Sequence, residues 1–181
     1  GKGLSWGGSQ ARTEATGYGT VFFAQEMLHA RGESLDGKRV VISGSGNVAT
    51  YAVHKVHQLG GTVVAVSDSS GYVVDERGID TDLLRQVKEI DRGRIDDYAA
   101  ARGEGVNFIS GGSVWDVPCD VALPCATQNE LPIEGAKALI ANGVKLIAEG
   151  ANMPTTPEAV QAFQSSGVLF APGKAANAGG V

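Results

Sequence analysis

The sequence predicts an α/β fold in which a doubly wound, mostly parallel sheet carries helices on both faces. Short apolar strands alternate with helical segments along the 181 residues. The strands lack the polar and apolar alternation of a half-exposed strand, which indicates burial on both faces and therefore parallel pairing. One strand leads directly into a glycine-rich turn and a helix, over residues 40–59.

The first three elements follow from periodicity and from glycine. Apolar side chains at helical spacing predict a helix over residues 15–30. The run of β-forming residues at 39–43 predicts the first strand. The next helix extends to Leu59 with its apolar side chains on one face, and Gly60 and Gly61 end it.

The middle of the chain alternates in the same way. The β-branched residues at 62–67 predict the second strand, and the turn residues after it predict a short hairpin that pairs 72–74 with 78–79. A further helix begins at Thr81. We expect four of its apolar side chains to point inward, namely Leu83, Leu84, Val87 and Ile90.

The last third of the chain continues this alternation. A short helix is expected over 95–102 and a short strand over 106–109. A strand over 120–123, apolar from Val121 to Leu123, is closed by Pro124. The remaining elements are a helix at 133–141 that Asn142 and Gly143 stop, a strand at 144–148, a helix at 157–165 that Thr156 caps and Pro157 opens, and a strand at 168–170.

Composition and charge exclude several classes of partner. The chain is 43% hydrophobic and 19% charged, with a formal net charge of −5 and no basic block. These values argue against a nucleic acid or an anionic membrane as partner. Because no apolar run reaches the roughly 20 residues of a membrane span and the amino terminus lacks the apolar core of a signal peptide, we expect a cytoplasmic protein. Cys119 and Cys125 are expected to be reduced core residues without a metal or disulfide role.

The turn between the first strand and its helix has the sequence GSGNVA at residues 44–49. In a Rossmann-type fold, the first glycine of such a turn permits a tight bend and the second lets backbone N–H groups approach a pyrophosphate. The start of the helix adds unpaired N–H groups and a partial positive charge. We therefore expect a dinucleotide to bind against Gly44 and Gly46.

Asp68 ends the second strand, about two dozen residues after Gly44. An acid there accepts hydrogen bonds from the adenosine ribose, although an Asp in an Asp-Ser-Ser-Gly turn can also serve the turn alone. Hydroxyl and guanidinium groups nearby could bind a 2′-phosphate, namely those of Ser67, Ser69, Ser70, Arg92 and Arg94. A lone Asp68 would repel that phosphate. These residues leave the choice between NAD and NADP open.

Polar side chains also follow two later strands, at the edge where an open α/β sheet binds its ligands. Thr127 and Asn129 follow the strand at 120–123, where they could face the nicotinamide or its ribose, or cap a helix. Asn152 follows the strand at 144–148, and its amide can donate and accept.

The sequence presents no catalytic residue and no metal site. No serine or cysteine is placed beside a base, and no lysine lies in a pocket motif. His54 and His57 lie three apart but lack a third ligand, so we expect both to be solvated at the surface. The glycine-rich segments 1–8 and 173–181 are expected to be loops. We therefore predict a single NAD(P)-binding domain over residues 1–181, taken from a longer protein.

Seven segments of the chain resemble the hexameric glutamate dehydrogenases. They occur in the order of that family and span the chain, at residues 5–9, 12–19, 44–48, 67–71, 123–130, 149–155 and 171–181. The Ser-Gly-Asn-Val and Ser-Asp-Ser-Ser-Gly sequences are most similar to the bacterial NADP-dependent members, which favours NADP over NAD.

The resemblance implies an enzyme that oxidatively deaminates L-glutamate to 2-oxoglutarate and ammonia. It also implies a homohexameric parent whose second domain carries the catalytic lysines and aspartate, none of which has a counterpart here. We therefore expect the chain alone to bind NADP(H) without turnover, and to meet glutamate or 2-oxoglutarate only together with that domain. The alternatives are the cofactor domain of a leucine- or phenylalanine-type dehydrogenase and a non-catalytic dinucleotide-binding module.

The same resemblance implies which residues contact the cofactor. It assigns the nicotinamide end to Thr16 and Asn47, the pyrophosphate to Gly44, Ser45, Gly46, Asn47 and Val48, the adenosine ribose to Ser67 and Asp68, and the nicotinamide ribose side to Ala126, Thr127 and Asn152.

Overall fold

The computed structural model of the chain describes residues 12–176. Its strands are β1 Arg39–Ser43, β2 Thr62–Asp68, β3 Gly71–Asp75, β4 Val106–Ser110, β5 Val121–Pro124, β6 Leu146–Ala148 and β7 Leu169–Ala171. Within the described range they form one sheet in the order β4-β3-β2-β1-β5-β6-β7. Strands β1, β2, β5, β6 and β7 are mutually parallel, whereas β3 and β4 are joined to the sheet by antiparallel pairing. The predicted mostly parallel α/β sheet is confirmed.

Helices cover both faces of this sheet. They are α1 Arg12–His29, α2 Asn47–Gln58, α3 Thr81–Arg85, α4 Ile95–Arg102, α5 Ile133–Ala141, α6 Pro157–Ser165 and α7 Gly173–Ala176. One core lies between the sheet and α1 to α4, and a second lies between the sheet and α5 and α6. In the central strand β1, Val40 and Ile42 enter the first core and Val41 enters the second, so the strand is buried on both faces. None of the helices between residues 12 and 176 has the length and apolarity needed to cross a bilayer.

The point where the chain reverses its direction across the sheet lies beside β1. The chain leaves β1 through α2 to reach β2 on one side, while β5 pairs with β1 on the other side. Ser43 at the end of β1 is opposite Pro124 at the end of β5. Ligands of open α/β sheets bind in the crevice at this position, so the fold itself indicates where to look for a site.

The predicted hairpin between residues 72–74 and 78–79 is wrong. Strand β3 instead turns back from β2 through a two-residue connection, in which Asp68 is opposite Gly71. The Ile79 N–H donates to the Val63 carbonyl at 2.7 Å, so this segment returns to the parallel part of the sheet. Asp75 explains the change of direction after β3, because its buried carboxylate accepts hydrogen bonds from the side chains of Arg77 and Arg102.

Two smaller expectations also differ from the structure. Ile90 is 68% exposed rather than inward, because α3 continues as a π-helical turn, Gln86–Ile90, whose wider spacing rotates the side chains. Gly173–Ala176 is helical rather than loop, while residues 1–8 and 177–181 of the two expected loops lie outside the described residues. The bounds of the other predicted strands and helices differ from the structure by three residues or fewer.

The two cysteines are buried free thiols, as predicted. Burial raises the pKa of Cys119 to about 12 and also raises the pKa of Cys125. Both thiols therefore stay protonated at neutral pH and act as small apolar core residues. Within residues 12–176, no cluster of three or more His, Cys, Asp or Glu side chains is placed to hold a metal ion.

His57 is half-buried, so the expectation that it is a solvated surface residue is wrong. Its Nε2 accepts a hydrogen bond from the Val63 N–H at 3.1 Å, and its Nδ1 lies 3.4 Å from the Thr81 hydroxyl. An accepting Nε2 places the ring proton on Nδ1, so the neutral ring is the form that joins α2 to β2. Burial lowers the pKa of His57, and the neighbouring His54, itself only partly exposed, lowers it further.

We expect the free energy of unfolding to fall between about pH 7.5 and about pH 5.5, and to fall less in His57→Gln. The folded pKa lies below the unfolded value of about 6.5, so the unfolded state binds more protons in this range. This stabilisation is complete above about pH 6.5 and is lost as the pH falls through the folded pKa, by at most about 1.4 kcal/mol per pH unit. Urea unfolding at both pH values measures it, with the exposed His29→Gln as control. The same pH dependence in His57→Gln as in the unaltered chain would contradict this account.

Candidate functional site

The carboxyl ends of β1, β2 and β5 border a cleft of about 460 Å³. Ser43 lines it from β1, Ser67 and Asp68 from β2, and Ala126 and Thr127 from the segment after β5. The opposite wall contains Tyr72, Gly112, Trp115 and Pro132. The cleft therefore lies at the reversal point of the sheet and contains four of the predicted cofactor-binding residues.

Gly44 makes the sharp bend that ends β1. Its φ of +89° lies in the left-handed region, which favours glycine. A Cβ at this position would lie 3.1 Å from the Ala126 Cβ and 3.2 Å from the Cys125 carbonyl oxygen. The Gly44 N–H donates to the Ser67 hydroxyl at 3.0 Å. The protein itself therefore requires glycine here, because this bend joins the ends of β1, β2 and β5.

At position 46, by contrast, nothing inside the protein requires glycine. Its φ of −80° and ψ of −165° are open to any residue, and a Cβ would meet no atom within 4 Å. Gly46 is the N-cap of α2 and offers no side chain to accept the first N–H groups of that helix. Free space beside uncapped helical donors fits an anionic group such as a pyrophosphate. Asn47 is exposed at the same helix start, whereas the Ser45 side chain is buried, which leaves its backbone for such a contact.

Helix α1 packs very closely against the start of α2. A Cβ on Gly17 would lie 2.6 Å from the Val48 carbonyl oxygen, so only glycine allows this approach. The approach places Thr16, the residue before Gly17, beside the start of α2. Gly150 allows a second close contact, since its Cβ would lie 2.6 Å from the Cys125 sulfur and 3.2 Å from a Val48 methyl group.

The Asp68 carboxylate already accepts several hydrogen bonds from the protein. One oxygen accepts from the Ser70 N–H at 2.8 Å and from its hydroxyl, and the other accepts from the Ile95 N–H at 2.8 Å. Lys88 Nζ lies 3.8 Å from the second oxygen. Burial raises the pKa of Asp68, but these hydrogen bonds and Lys88 outweigh it and hold the pKa below its usual value. The turn role considered for Asp68 is therefore present, and its contact with a ribose stays a prediction.

Three cationic side chains lie in or close to the segment that leads to α4. Arg94 Nη2 donates to the Ser69 hydroxyl at 3.0 Å, so this guanidinium stands next to the end of β2. Lys88, which the sequence analysis missed, lies in the π-helical turn and also donates to the Gly93 carbonyl at 3.1 Å. Arg92 is exposed, with a φ of 52°. Arg94 thus stands beside Ser69, whereas no hydrogen bond or ion pair from another residue in the range 12–176 holds the Arg92 side chain, and the contact of either arginine with a 2′-phosphate stays a prediction.

Residues 126–129, here named the rim loop, follow β5 and are all exposed. Neither Thr127 nor Asn129 caps a helix, because the N-cap of α5 is Pro132. The Thr127 N–H instead donates to the carboxylate of Glu130, which also accepts from the Ser43 hydroxyl. Burial raises the pKa of Glu130 more than its hydrogen bonds lower it. The sequence analysis missed Glu130 and Ser43, since their pairing spans 87 residues.

Asn152 is exposed in the segment after β6. The Asn129 N–H donates to the Met153 carbonyl at 3.1 Å, and the Leu131 N–H donates to the Pro154 carbonyl at 2.9 Å, so this segment runs beside the rim loop. Glu149 holds the start of this segment in place, because the buried Glu149 carboxylate accepts hydrogen bonds from the N–H groups of Thr155 and Gly173. The structure therefore brings Asn152 and the rim loop to the same edge of the sheet.

Comparison with known proteins identifies the family of this chain. The family model for glutamate/leucine/phenylalanine/valine dehydrogenase matches residues 7–181. An NADP-specific glutamate dehydrogenase of Salmonella typhimurium is 58% identical over all of this chain, and an NAD(P)-specific glutamate dehydrogenase of Xylanibacter ruminicola is 52% identical. The chain spans 41% of the length of each.

The fold gives the same assignment. The crystal structure of Plasmodium falciparum glutamate dehydrogenase superposes with a TM-score of 0.94 at 43% identity, and the match covers 99% of this chain and 39% of that one. Sequence and fold agree over almost the whole of residues 1–181. The chain belongs to the glutamate, leucine, phenylalanine and valine dehydrogenase family.

Proposed function

We propose that residues 1–181 form the cofactor-binding domain of an NADP-dependent glutamate dehydrogenase. The parent enzyme would convert L-glutamate, NADP and water to 2-oxoglutarate, ammonia and NADPH. The observation that carries the proposal is Gly46, where neither backbone nor packing needs glycine and open space adjoins the uncapped start of α2. The high identity to relatives named as glutamate dehydrogenases favours glutamate over the leucine- and phenylalanine-type substrates of the same family.

The described residues would hold the cofactor along the edge of the sheet. The backbone of residues 44–48 and the start of α2 would bind the pyrophosphate. Ser67 and Asp68 would face the adenosine ribose. The nicotinamide end would lie among the remaining predicted residues, namely Thr16, Asn47, Ala126, Thr127 and Asn152. When bound, the cofactor supplies hydride transfer, and the chain contributes binding, orientation and exclusion of water.

NADP is the preferred cofactor in this proposal, with NAD as the alternative. A bare carboxylate at Asp68 would repel a 2′-phosphate of about −1.5 to −2 charge. Here that carboxylate is bonded to Ser70 and Ile95 and faces Lys88, so its repulsion is offset. The Ser69 hydroxyl and the Arg94 guanidinium beside it supply donors that a phosphate would engage more strongly than a ribose hydroxyl would.

The wider setting of the chain is part of the same proposal. The catalytic lysines and aspartate would come from another domain of the parent enzyme, which we propose to be a cytoplasmic homohexamer. A hetero-hexameric glutamate dehydrogenase of Thermus thermophilus is among the similar structures, with a TM-score of 0.80 at 26% identity. Since the family assembles mainly through the other domain, the isolated chain is expected to be monomeric or weakly dimeric.

The variant Gly46→Val tests the pyrophosphate site. Its side chain would enter the space that the backbone leaves for the ligand, so the Kd for NADP measured by calorimetry should rise by about tenfold or more. Thermal stability should change little, because a Cβ there meets no protein atom. Gly17→Ala provides the contrast, since its Cβ would clash with the Val48 carbonyl and lower the melting temperature. If Gly46→Val bound NADP as tightly as the unaltered chain, the pyrophosphate assignment would be wrong.

The basis of cofactor choice is tested by removing the arginines. We expect the unaltered chain to prefer NADP, and the double variant Arg92→Ala, Arg94→Ala to lose about tenfold in NADP affinity. Affinity for NAD should change much less, because a neutral ribose hydroxyl accepts a weaker hydrogen bond from a guanidinium than a phosphate does. Single variants measured across a salt series should assign most of the loss to Arg94, which contacts Ser69. An unchanged ratio of the two affinities would show that neither arginine contributes to cofactor choice. A preference for NAD in the unaltered chain would show that Asp68 selects a ribose with a free 2′-hydroxyl.

An activity assay separates a catalytic chain from a binding module. We expect the 181-residue chain to bind NADP and to show no glutamate-dependent reduction of NADP, because the reacting groups lie in the other domain. Absorbance of NADPH against a blank without glutamate measures this. Turnover above the blank would overturn the view that the chain lacks catalytic residues.

A further inference from the structure

Glu130 follows directly after the exposed rim loop and forms hydrogen bonds with three parts of the site. Its carboxylate accepts from the Ser43 hydroxyl at the end of β1 and from the Thr127 N–H in the rim loop. The Ser43 hydroxyl in turn accepts from the Cys125 N–H at 3.0 Å. The backbone carbonyl of Glu130 accepts from the Trp115 indole at 3.2 Å. Glu130 therefore links three parts of the site: its side chain contacts β1 and the rim loop, and its backbone contacts Trp115.

The negative charge of the Glu130 carboxylate is energetically unfavourable at this position. The carboxylate is partly buried, and within residues 12–176 no Lys, Arg or His forms an ion pair with it. Its partners are neutral donors, and burying a charge without a cation opposes folding. Glu130 also lines the same cleft as Ser67 and Asp68, so its charge would face a polyanionic ligand. Neither the stability of the protein nor electrostatic attraction accounts for an acid here.

The geometry of the rim loop explains why a carboxylate occupies position 130. A carboxylate has two acceptor oxygens and can hold the Ser43 hydroxyl and the Thr127 N–H together. Glutamine has one acceptor oxygen, so its NH₂ group would face either the Thr127 N–H or the Ser43 hydroxyl, whose oxygen already accepts from the Cys125 N–H. Ala126, the first residue of the rim loop, packs closely on Gly44. A Cβ added to Gly44 would lie 3.1 Å from the Ala126 Cβ. The carboxylate therefore sets where Ala126 and Thr127 stand relative to the glycine turn.

We propose that Glu130 is a positioning residue of the cofactor site, which holds the rim loop against Gly44 so that Ala126 and Thr127 face the bound dinucleotide. This inference rests on the proposed function of the chain. It adds a role for a carboxylate that does not itself attract the ligand.

The sign of one affinity change tests the proposal. A carboxylate that merely stands near a polyphosphate repels it, so Glu130→Gln would then tighten NADP binding or leave it unchanged. A positioning carboxylate gives the opposite result, and we expect the Kd for NADP to rise about tenfold in Glu130→Gln. Amide hydrogen exchange at Ala126 and Thr127 should accelerate in the same variant, while exchange in β1 and β5 stays slow. Glu134→Gln, the same substitution at an exposed site four residues away, should change neither quantity.

Each outcome decides the proposal. Tighter or unchanged NADP binding in Glu130→Gln overturns it, as does unchanged exchange at Ala126 and Thr127. If Glu130→Gln does not fold, Ser43→Ala, which removes one donor to the same carboxylate, must weaken NADP binding for the proposal to stand. An unaltered chain that binds no NADP overturns the proposed function instead, and the exchange rates then still report whether Glu130 holds the rim loop.

Discussion

The bend at Gly44 is the constraint on which the rest of the site depends. A left-handed residue ends the central strand, its N–H donates to Ser67 at the end of β2, and its Cα packs on Ala126 after β5. Three strand ends are thereby held together by one residue without a side chain. Because α2 starts three residues later, at Asn47, the same bend aims the uncapped N–H groups of that helix along the edge of the sheet. The position of the helix and the width of the cleft follow from this backbone geometry.

Carboxylates organise the surroundings of this bend without attracting the ligand. Asp68 binds Ser70, Ile95 and Lys88, and so it fixes the turn after β2 and the start of α4. Glu130 and Glu149 each accept hydrogen bonds at the base of an exposed segment at the carboxyl edge. In the proposed site, attraction for an anion would come instead from helix N–H groups and from side chains such as Lys88 and Arg94. A chain with a net charge of −5 can in this way present a local site for a polyanion.

The parts of the structure that the sequence predicts are those that depend on near neighbours. The unit of β1, glycine turn and α2 is one such part, because apolar periodicity and turn chemistry act within a few residues. The failed hairpin at β3 is a mixed case: its pairing with β4 crosses a connection of 30 residues, Glu76–Gly105, whereas its two-residue turn back from β2 is local and was missed because the Asp-Ser-Ser-Gly turn was interpreted as a ligand site. Likewise, the Ser43–Glu130 contact joins residues 87 apart, and the Ile95 bond to Asp68 spans 27. Nothing local in the sequence encodes these pairs. The family resemblance supplies residue assignments, but not the bonds that hold those residues in place.

The π-helical turn at Gln86–Ile90 determines which side chain faces Asp68. Its i→i+5 hydrogen bonds place more residues in one turn than an α-helix does, and this rotates the side chains that follow. Here the turn lies between α3 and α4, outside the sheet, and it sets the register of Lys88 against Asp68. Gain or loss of one residue in this stretch would move Lys88 around the helix axis while every strand kept its pairing. The length of the segment between α3 and α4 therefore controls which side chain stands beside Asp68, independently of the glycine turn.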